Sequence, residues 1–267
     1  MRALSRLTVA PNGARRGKAD HPALPVTIDE IAATAAACFA AGAGTIHLHV
    51  RDAEGQHVLD AGLFDAATEA VAAATDGRML VQVTTEAVGR YSPAEQRAIL
   101  AAVSAPAVSL AVRDFFADDE AAPGAALRAA AERGVALQYL LYEPGEIPRL
   151  ADLAAREVIP PGRVEALFVL GSYGADQADI AVLTRYLSGW QAAGLAARAQ
   201  WMVCTFGRRE TRGLAAALAM GGKARVGFEN NFLNADGTQA HDNAERVAEI
   251  ARVAALMGID TTQDQDS

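Results

Sequence analysis

With 51% hydrophobic but only 6% aromatic side chains in 267 residues, the chain must build its core from Ala, Val and Leu, which favours packed helices over an aromatic-rich β-sandwich. A formal net charge of −8 argues against general nucleic-acid binding, because neutralising phosphates needs a basic surface. No apolar run reaches membrane-span length, the N-terminal apolar stretch is too short for a signal peptide, and Cys38 and Cys204 lack any C-x-x-C partner, so a cytoplasmic protein without disulfides is expected.

In chain order, short apolar runs alternate with Ala-rich stretches. Strands are expected over 6–10, 45–50, 79–84, 107–112, 136–141, 166–170, 200–204 and 224–229. Helices are expected to begin near Thr27, Ala61, Pro93, Ala122, Gly145, Gln177, Arg208 and Asp242. Ser92-Pro93-Ala94-Glu95 combines a capping Ser, a first-turn Pro and an early Glu, and Thr27 with Glu30 has capping-box spacing. Eight strands each followed by a helix is the count of a (β/α)8 TIM barrel, expected here as one domain over 1–267 with a frayed polar tail at 260–267. The alternative, a doubly wound open sheet binding a dinucleotide, lacks its G-x-G-x-x-G: the segment after the first strand carries Gly13 alone.

Barrel enzymes keep their chemistry at the C-terminal ends of the strands. His47 and His49 fall near the end of the second expected strand and share one face, about 7 Å apart. Two convergent imidazoles suit a divalent metal, most often zinc, though such a pair can also be two hydrogen-bonded strand histidines. Glu229, on one face of the last strand with Gly227 and Arg225, would complete a His-His-Glu set and leave coordination positions open. Thr84 closes the third strand at the same rim. Arg51 and Asp52 read as a loop salt bridge, and His57, after Gly55, as a solvated side chain. His21 and His241 are loop residues without ligand spacing. An amidohydrolase-type barrel would need more histidines downstream. The cupin spacing of His47, His49 and Glu54 conflicts with helical flanks at 33–41 and 66–74.

Three segments occur in order: Thr8-Val9-Ala10-Pro11-Asn12-Gly13-Ala14, then Gly42-Ala43-Gly44-Thr45-Ile46-His47-Leu48-His49-Val50-Arg51-Asp52, then Arg225-Val226-Gly227-Phe228-Glu229-Asn230-Asn231. Together they resemble the β-keto acid cleavage enzymes, over essentially the whole chain. The resemblance implies a zinc-dependent TIM barrel, commonly a homotetramer, that converts a β-keto acid and acetyl-CoA into acetoacetate and a new acyl-CoA. It also implies that His47, His49 and Glu229 are metal ligands, that Arg225 is the catalytic arginine, and that Thr84 takes the place of a Ser or Thr hydroxyl. The plainer reading of Thr84 is a strand-ending hydroxyl bonded to backbone.

The chain departs from that pattern on its substrate-facing loops. Asn230 stands among the catalytic positions where the family has Asp, and an amide takes no proton near neutral pH. Glu86 and Glu143 are candidate replacements, or ordinary rim carboxylates that face substrate. Thr84-Thr85-Glu86-Ala87 replaces Thr-Thr-Gly-Gly, and Ala111-Val112-Arg113-Asp114 replaces small residues. Arg113 is either an anchor for an acidic substrate end or a partner of Asp114 or Glu86. Two basic clusters at the rim, Arg15, Arg16 and Lys18, then Arg208, Arg209 and Arg212, suit the phosphates of CoA. Two other functions stay open: a metal-dependent aldolase or retro-aldolase without CoA, and a metal- or CoA-binding relative without turnover. Two His and one carboxylate also accept several first-row ions besides zinc.

Overall fold

The structure, a computed structural model, describes residues 3–174, 178–196 and 199–261. The strands are β1 (Leu7–Val9), β2 (Thr45–Leu48), β3 (Val50–Arg51), β4 (His57–Val58), β5 (Leu80–Thr84), β6 (Ala107–Ala111), β7 (Ala136–Leu141), β8 (Val164–Leu170), β9 (Ala199–Thr205) and β10 (Lys223–Val226). Eight of them close a barrel in the order β1-β10-β9-β8-β7-β6-β5-β2, every pair parallel, while β3 and β4 form a separate antiparallel hairpin. The helices are α1 (Ile28–Ala40), α2 (Ala61–Ala74), α3 (Pro93–Ala102), α4 (Val112–Phe115), α5 (Ala121–Glu132), α6 (Ile147–Ala155), α7 (Val182–Ala192), α8 (Glu210–Ala219) and α9 (Asn243–Leu256). None of the described helices is long and apolar enough to cross a membrane.

The period of the strands sorts their side chains into two layers. Outward residues such as Ile46, Leu48, Val81, Val83, Phe168 and Val226 pack with the helices into the main core. Inward ones such as Leu80, Ala107, Leu140, Leu167 and Met202 form a smaller cluster inside the barrel. On β2, β5, β7 and β10 the inward positions also carry His47, Gln82, Gln138 and Arg225, all buried. The expected capping box forms at Thr27 with Glu30, and the expected capping Ser92, ahead of Pro93, forms a second one with Glu95.

Several expected boundaries shift, for local reasons. The second strand ends at Leu48, and the chain then turns into the β3–β4 hairpin. The fourth ends at Ala111, where α4 begins, so Arg113 rides on a helical turn. The helix expected near Gly145 starts with a 3₁₀ turn at Pro144–Glu146 before α6. The last strand ends at Val226, because Gly227 takes φ 142°, a left-handed backbone that favours glycine. The helix start expected at Gln177, and the tail beyond Thr261, lie outside the described residues. Both cysteines are free and buried.

Candidate functional site

Strand β1 lies between β2 and β10, so the ends of those two strands converge over one neighbour. His47 projects inward from β2, and His49 follows just past its end. Asn12, in the loop after β1, clasps the His49 backbone: its amide donates to the His49 carbonyl at 2.8 Å and its carbonyl accepts the His49 N–H at 3.2 Å. Glu229 stands on a turn rather than on the expected strand face. Its N–H donates to the Ala10 carbonyl at 3.1 Å, and a Cβ on Gly227 would lie 2.4 Å from the same oxygen. The buried Glu210 accepts the Gly227 N–H at 3.1 Å and is itself held by Arg246 at 2.9 Å, while Asn243 accepts the Phe228 N–H at 2.9 Å. Gly13 (φ 60°) completes this packing, since a Cβ there would approach Glu229 Cγ to 2.6 Å.

The result is a buried trio of His47, His49 and Glu229. The two Nε2 atoms are 3.2 Å apart, and Glu229 Oε2 is 3.7 Å from each. Glu229 Oε1 accepts from Arg225 Nη2 at 3.1 Å, whereas the buried Oε2 has no hydrogen-bond partner among the described residues. Burial holds both imidazoles well below their ordinary value of 6.5, with Arg225 adding to the effect at His47 and His57 at His49, so the rings are neutral. Gln82 gives its NH₂ to Gln138 at 3.2 Å, so its carbonyl accepts the His47 Nδ1–H at 2.9 Å and the bare His47 Nε2 faces the trio. A bare imine nitrogen and a carboxylate oxygen without a donor, buried together, fit a divalent cation. Burial raises the Glu229 carboxyl, and Arg225 opposes that rise.

The cavity above the trio has a volume of about 470 Å³ and is walled by Leu140, Val169, Phe206, Tyr142 and Tyr173. Its polar lining brings together His47, Thr84, Glu86, Arg113, Glu143, Arg225 and Glu229, seven of the nine residues expected from sequence to hold the metal, catalyse or face the keto acid; His49 and Asn230 do not line it. Glu86 Oε2 lies 3.8 Å from His49 Nε2, and burial together with Glu229 raises its carboxyl to about 7. Thr84 accepts the Glu86 N–H at 3.0 Å, which leaves its own O–H free to donate. Arg113 stacks over the Tyr142 ring at 3.8 Å and pairs with Asp114 at 3.6 Å. Glu143 is exposed at the mouth. Asn230 is fully buried, and neither atom of its amide has a partner among the described residues. Arg225 keeps Nε and Nη1 unpartnered in the same sense, and Glu229 keeps its guanidinium firmly protonated against the cost of burial.

Three expectations need correcting. Arg51 makes no ion pair with Asp52 among the described residues: it donates to loop carbonyls including Ala14 (3.3 Å) and Arg16 (3.0 Å), and Asp52 caps its own turn through the Glu54 and Gln56 N–H groups. His57 is not solvated but 3% exposed, on β4, with Nδ1 3.4 Å from His49 Nδ1. Of the first basic cluster only Arg15 lines the cavity: Lys18 pairs with Glu30 at 2.6 Å, and Arg16 packs over Phe232 and donates to the Phe228 carbonyl at 3.0 Å. Sequence reading also missed Asn12, Gln82 and Glu210. Asn12 had a visible signal in Pro11-Asn12-Gly13, but no local pattern marks the other two.

Residues 6–266 match the beta-keto acid cleavage enzyme family. The 3-keto-5-aminohexanoate cleavage enzyme of Fusobacterium nucleatum is 29% identical over 259 residues, covering 94% of this chain and 92% of that one. The 3-oxoadipate:acetyl-CoA acetyltransferase of Cupriavidus necator is 26% identical over 257 residues, covering 94% and 89%. Among solved structures, ObcA in a ternary complex with a C4-CoA adduct and oxalate superposes with a TM-score of 0.72 at 16% identity; the match covers 90% of this chain and 66% of ObcA, just under two thirds. A type I 3-dehydroquinate dehydratase from Clostridium difficile reaches 0.61 at 10% identity, over 96% of this chain and 93% of that one, a likeness of fold alone.

Proposed function

This chain belongs to the beta-keto acid cleavage enzyme family, and from that premise we propose that it condenses a β-keto acid with acetyl-CoA, giving acetoacetate and a new acyl-CoA, at a divalent metal held by His47, His49 and Glu229. Zinc is the first candidate, since two imidazoles and one carboxylate leave coordination positions open. The observation that carries the reading is the trio itself: two imidazole Nε2 atoms and an unpartnered carboxylate oxygen buried together, beneath a cavity in which a guanidinium and a carboxylate also lack partners or ordinary protonation. Two relatives whose names specify cleavage of a keto acid and acyl transfer from acetyl-CoA support the reaction class.

When bound, the cation would act as a Lewis acid toward the keto acid's oxygens. Arg225 would hold the substrate carboxylate and the developing negative charge with its unpartnered N–H groups. Glu86, raised to about 7, would take the proton from the carbon between the two carbonyls, the task Asn230 cannot perform. Thr84 holds the Glu86 backbone and offers its hydroxyl to the same space. The carbanion so formed attacks the acetyl thioester and expels CoA thiolate. That thiolate adds to the former keto carbon, whose bond to the deprotonated carbon breaks, giving the new acyl-CoA and a carbanion that takes the proton back from Glu86 to leave as acetoacetate. Arg113 and Glu143 would meet the far end of the keto acid at the cavity mouth, and Arg15, which lines the same cavity, the CoA phosphates; Arg208, Arg209 and Arg212 are not among its lining residues. As in the family, a homotetramer is the assembly we expect.

Elemental analysis comes first: about one zinc per chain, absent from the His47→Ala/His49→Ala double variant with its fold retained. A panel of β-keto acids with carbonyl-labelled acetyl-CoA then tests the chemistry. The label is expected in acetoacetate and not in the new acyl-CoA; turnover of a keto acid without acetyl-CoA would replace the transfer by a retro-aldol cleavage. Glu86→Gln should lower turnover ~10²–10⁴-fold, the usual weight of a general base.

A further inference from the structure

His57 lies in the β3–β4 hairpin, paired with Arg51 across it and buried at 3% exposure. Its ring bridges two parts of the site. Nε2 is 3.3 Å from the carbonyl oxygen of Glu86, and Nδ1 is 3.4 Å from His49 Nδ1. The ring meets two backbone carbonyls, those of Glu86 and Val50, and a carbonyl can only accept; the Glu86 oxygen, 3.3 Å from Nε2, puts a proton on that nitrogen. A neutral ring protonated there has a bare Nδ1, and the contact to His49 then requires His49 to donate from its own Nδ1. The remaining nitrogen of His49, Nε2, is left bare, and it points at His47 Nε2 and Glu229 Oε2. Gln82 imposes the same tautomer on His47 from the opposite side.

We propose that His57 is a positioning residue of the metal centre: through the chain Glu86 carbonyl, His57, His49, it sets the His49 tautomer that presents Nε2 to the cation, and it ties the loop bearing Glu86 to that ligand. This rests on the metal reading above. A ligand imidazole commonly gives its second N–H to a carboxylate, carbonyl or water. Here the acceptor is a second imidazole whose own orientation is set by the backbone of the β5–α3 loop. Metal affinity and the placement of Glu86 are therefore coupled through one ring.

The test uses the full-length chain and zinc alone, with affinity read by competition against a chromophoric chelator. His57→Asn keeps an acceptor oxygen about where Nδ1 stood. His57→Leu removes it, and His57→Gln reaches toward the Glu86 carbonyl but leaves His49 without an acceptor. Wild type should bind zinc, Leu and Gln should bind ~10–100-fold more weakly, the usual cost of losing such a partner, and Asn should stay within ~3-fold of wild type. Long-range ¹H–¹⁵N imidazole spectra of the metal-free protein should show His49 protonated on Nδ1 in wild type and Asn, and a mixture of tautomers in Leu. Equal affinities in wild type and Leu, or equal losses in Leu and Asn, would overturn the role of His57 and leave the metal site standing. Absence of zinc binding in wild type would instead overturn the metal reading itself. Should Leu not fold, Gln against Asn gives the same contrast.

Discussion

Lys223 and Arg225 are two residues apart on β10 and both project into the barrel, yet their surroundings differ in kind. At the N-terminal end, Lys223 donates to both oxygens of Glu165, at 3.1 and 3.2 Å, and to the Leu4 carbonyl at 2.7 Å. At the C-terminal end, Arg225 gives a single N–H to one oxygen of Glu229, and the Arg225 Nε and Nη1 and the Glu229 Oε2 go without partners among the described residues. A buried ion pair offsets its desolvation only when geometry and extra hydrogen bonds are good, and the lower pair meets that condition while the upper one does not. Closed pairing marks charge used to fill a barrel; open pairing marks charge kept for a ligand.

The largest expected effect tests the open end. Arg225→Met should lower turnover by ~10³-fold or more while costing less stability than Lys223→Met, because the guanidinium satisfies fewer groups in the free protein. Loss of the fold would place Arg225 with Lys223 as a structural cation. Next comes the closed end. Lys223→Met should cost ~3–5 kcal/mol in denaturant unfolding, and Lys223→Met/Glu165→Leu should recover most of it, since removing both charges also removes their desolvation. Catalytic constants of the double variant should stay near wild type; a fall of ~10-fold or more would make the two ends one machine.

The smallest effect is on pH dependence at the rim. Burial, with the charge of Glu229, raises the Glu86 carboxyl from 4.5 to about 7. Between those values the folded chain binds a proton that the unfolded chain has lost. The stability associated with the protonated form is therefore complete below 4.5 and is lost as pH rises to about 7. Glu86→Gln should flatten that slope in the metal-free protein and raise its Tm by a few degrees at pH 8 relative to wild type. An unchanged slope would show that the rim carries no such strain.

Much of the fold was legible because it depends on local rules. Period-2 apolar runs, Thr27 and Ser92 as caps, and eight strand–helix alternations follow from steric and hydrogen-bonding preferences within a few residues. The trio of His47, His49 and Glu229 was legible for a mixed reason: His-x-His needs only strand geometry, and Glu229 needed barrel closure to bring β10 within one strand of β2. What misled was environment. His57 follows Gly55 in a polar turn and reads as solvated, yet the hairpin folds it under the β5–α3 loop. Arg51 reads as the partner of its neighbour Asp52, yet five carbonyl contacts, four of them from the loop after β1, outweigh one adjacent carboxylate.

The sequence by itself determined the barrel, its rim and the chemical type of the candidate metal-binding set, since these rest on spacing, propensity and donor chemistry. Only the tertiary structure decided which charges are closed and which are open, where Glu86 stands relative to His49, and that His57 belongs to the site. Those properties depend on desolvation and on tertiary contacts such as the one between His57 and Glu86, 29 positions apart, and no local pattern encodes a partner that arrives from another strand.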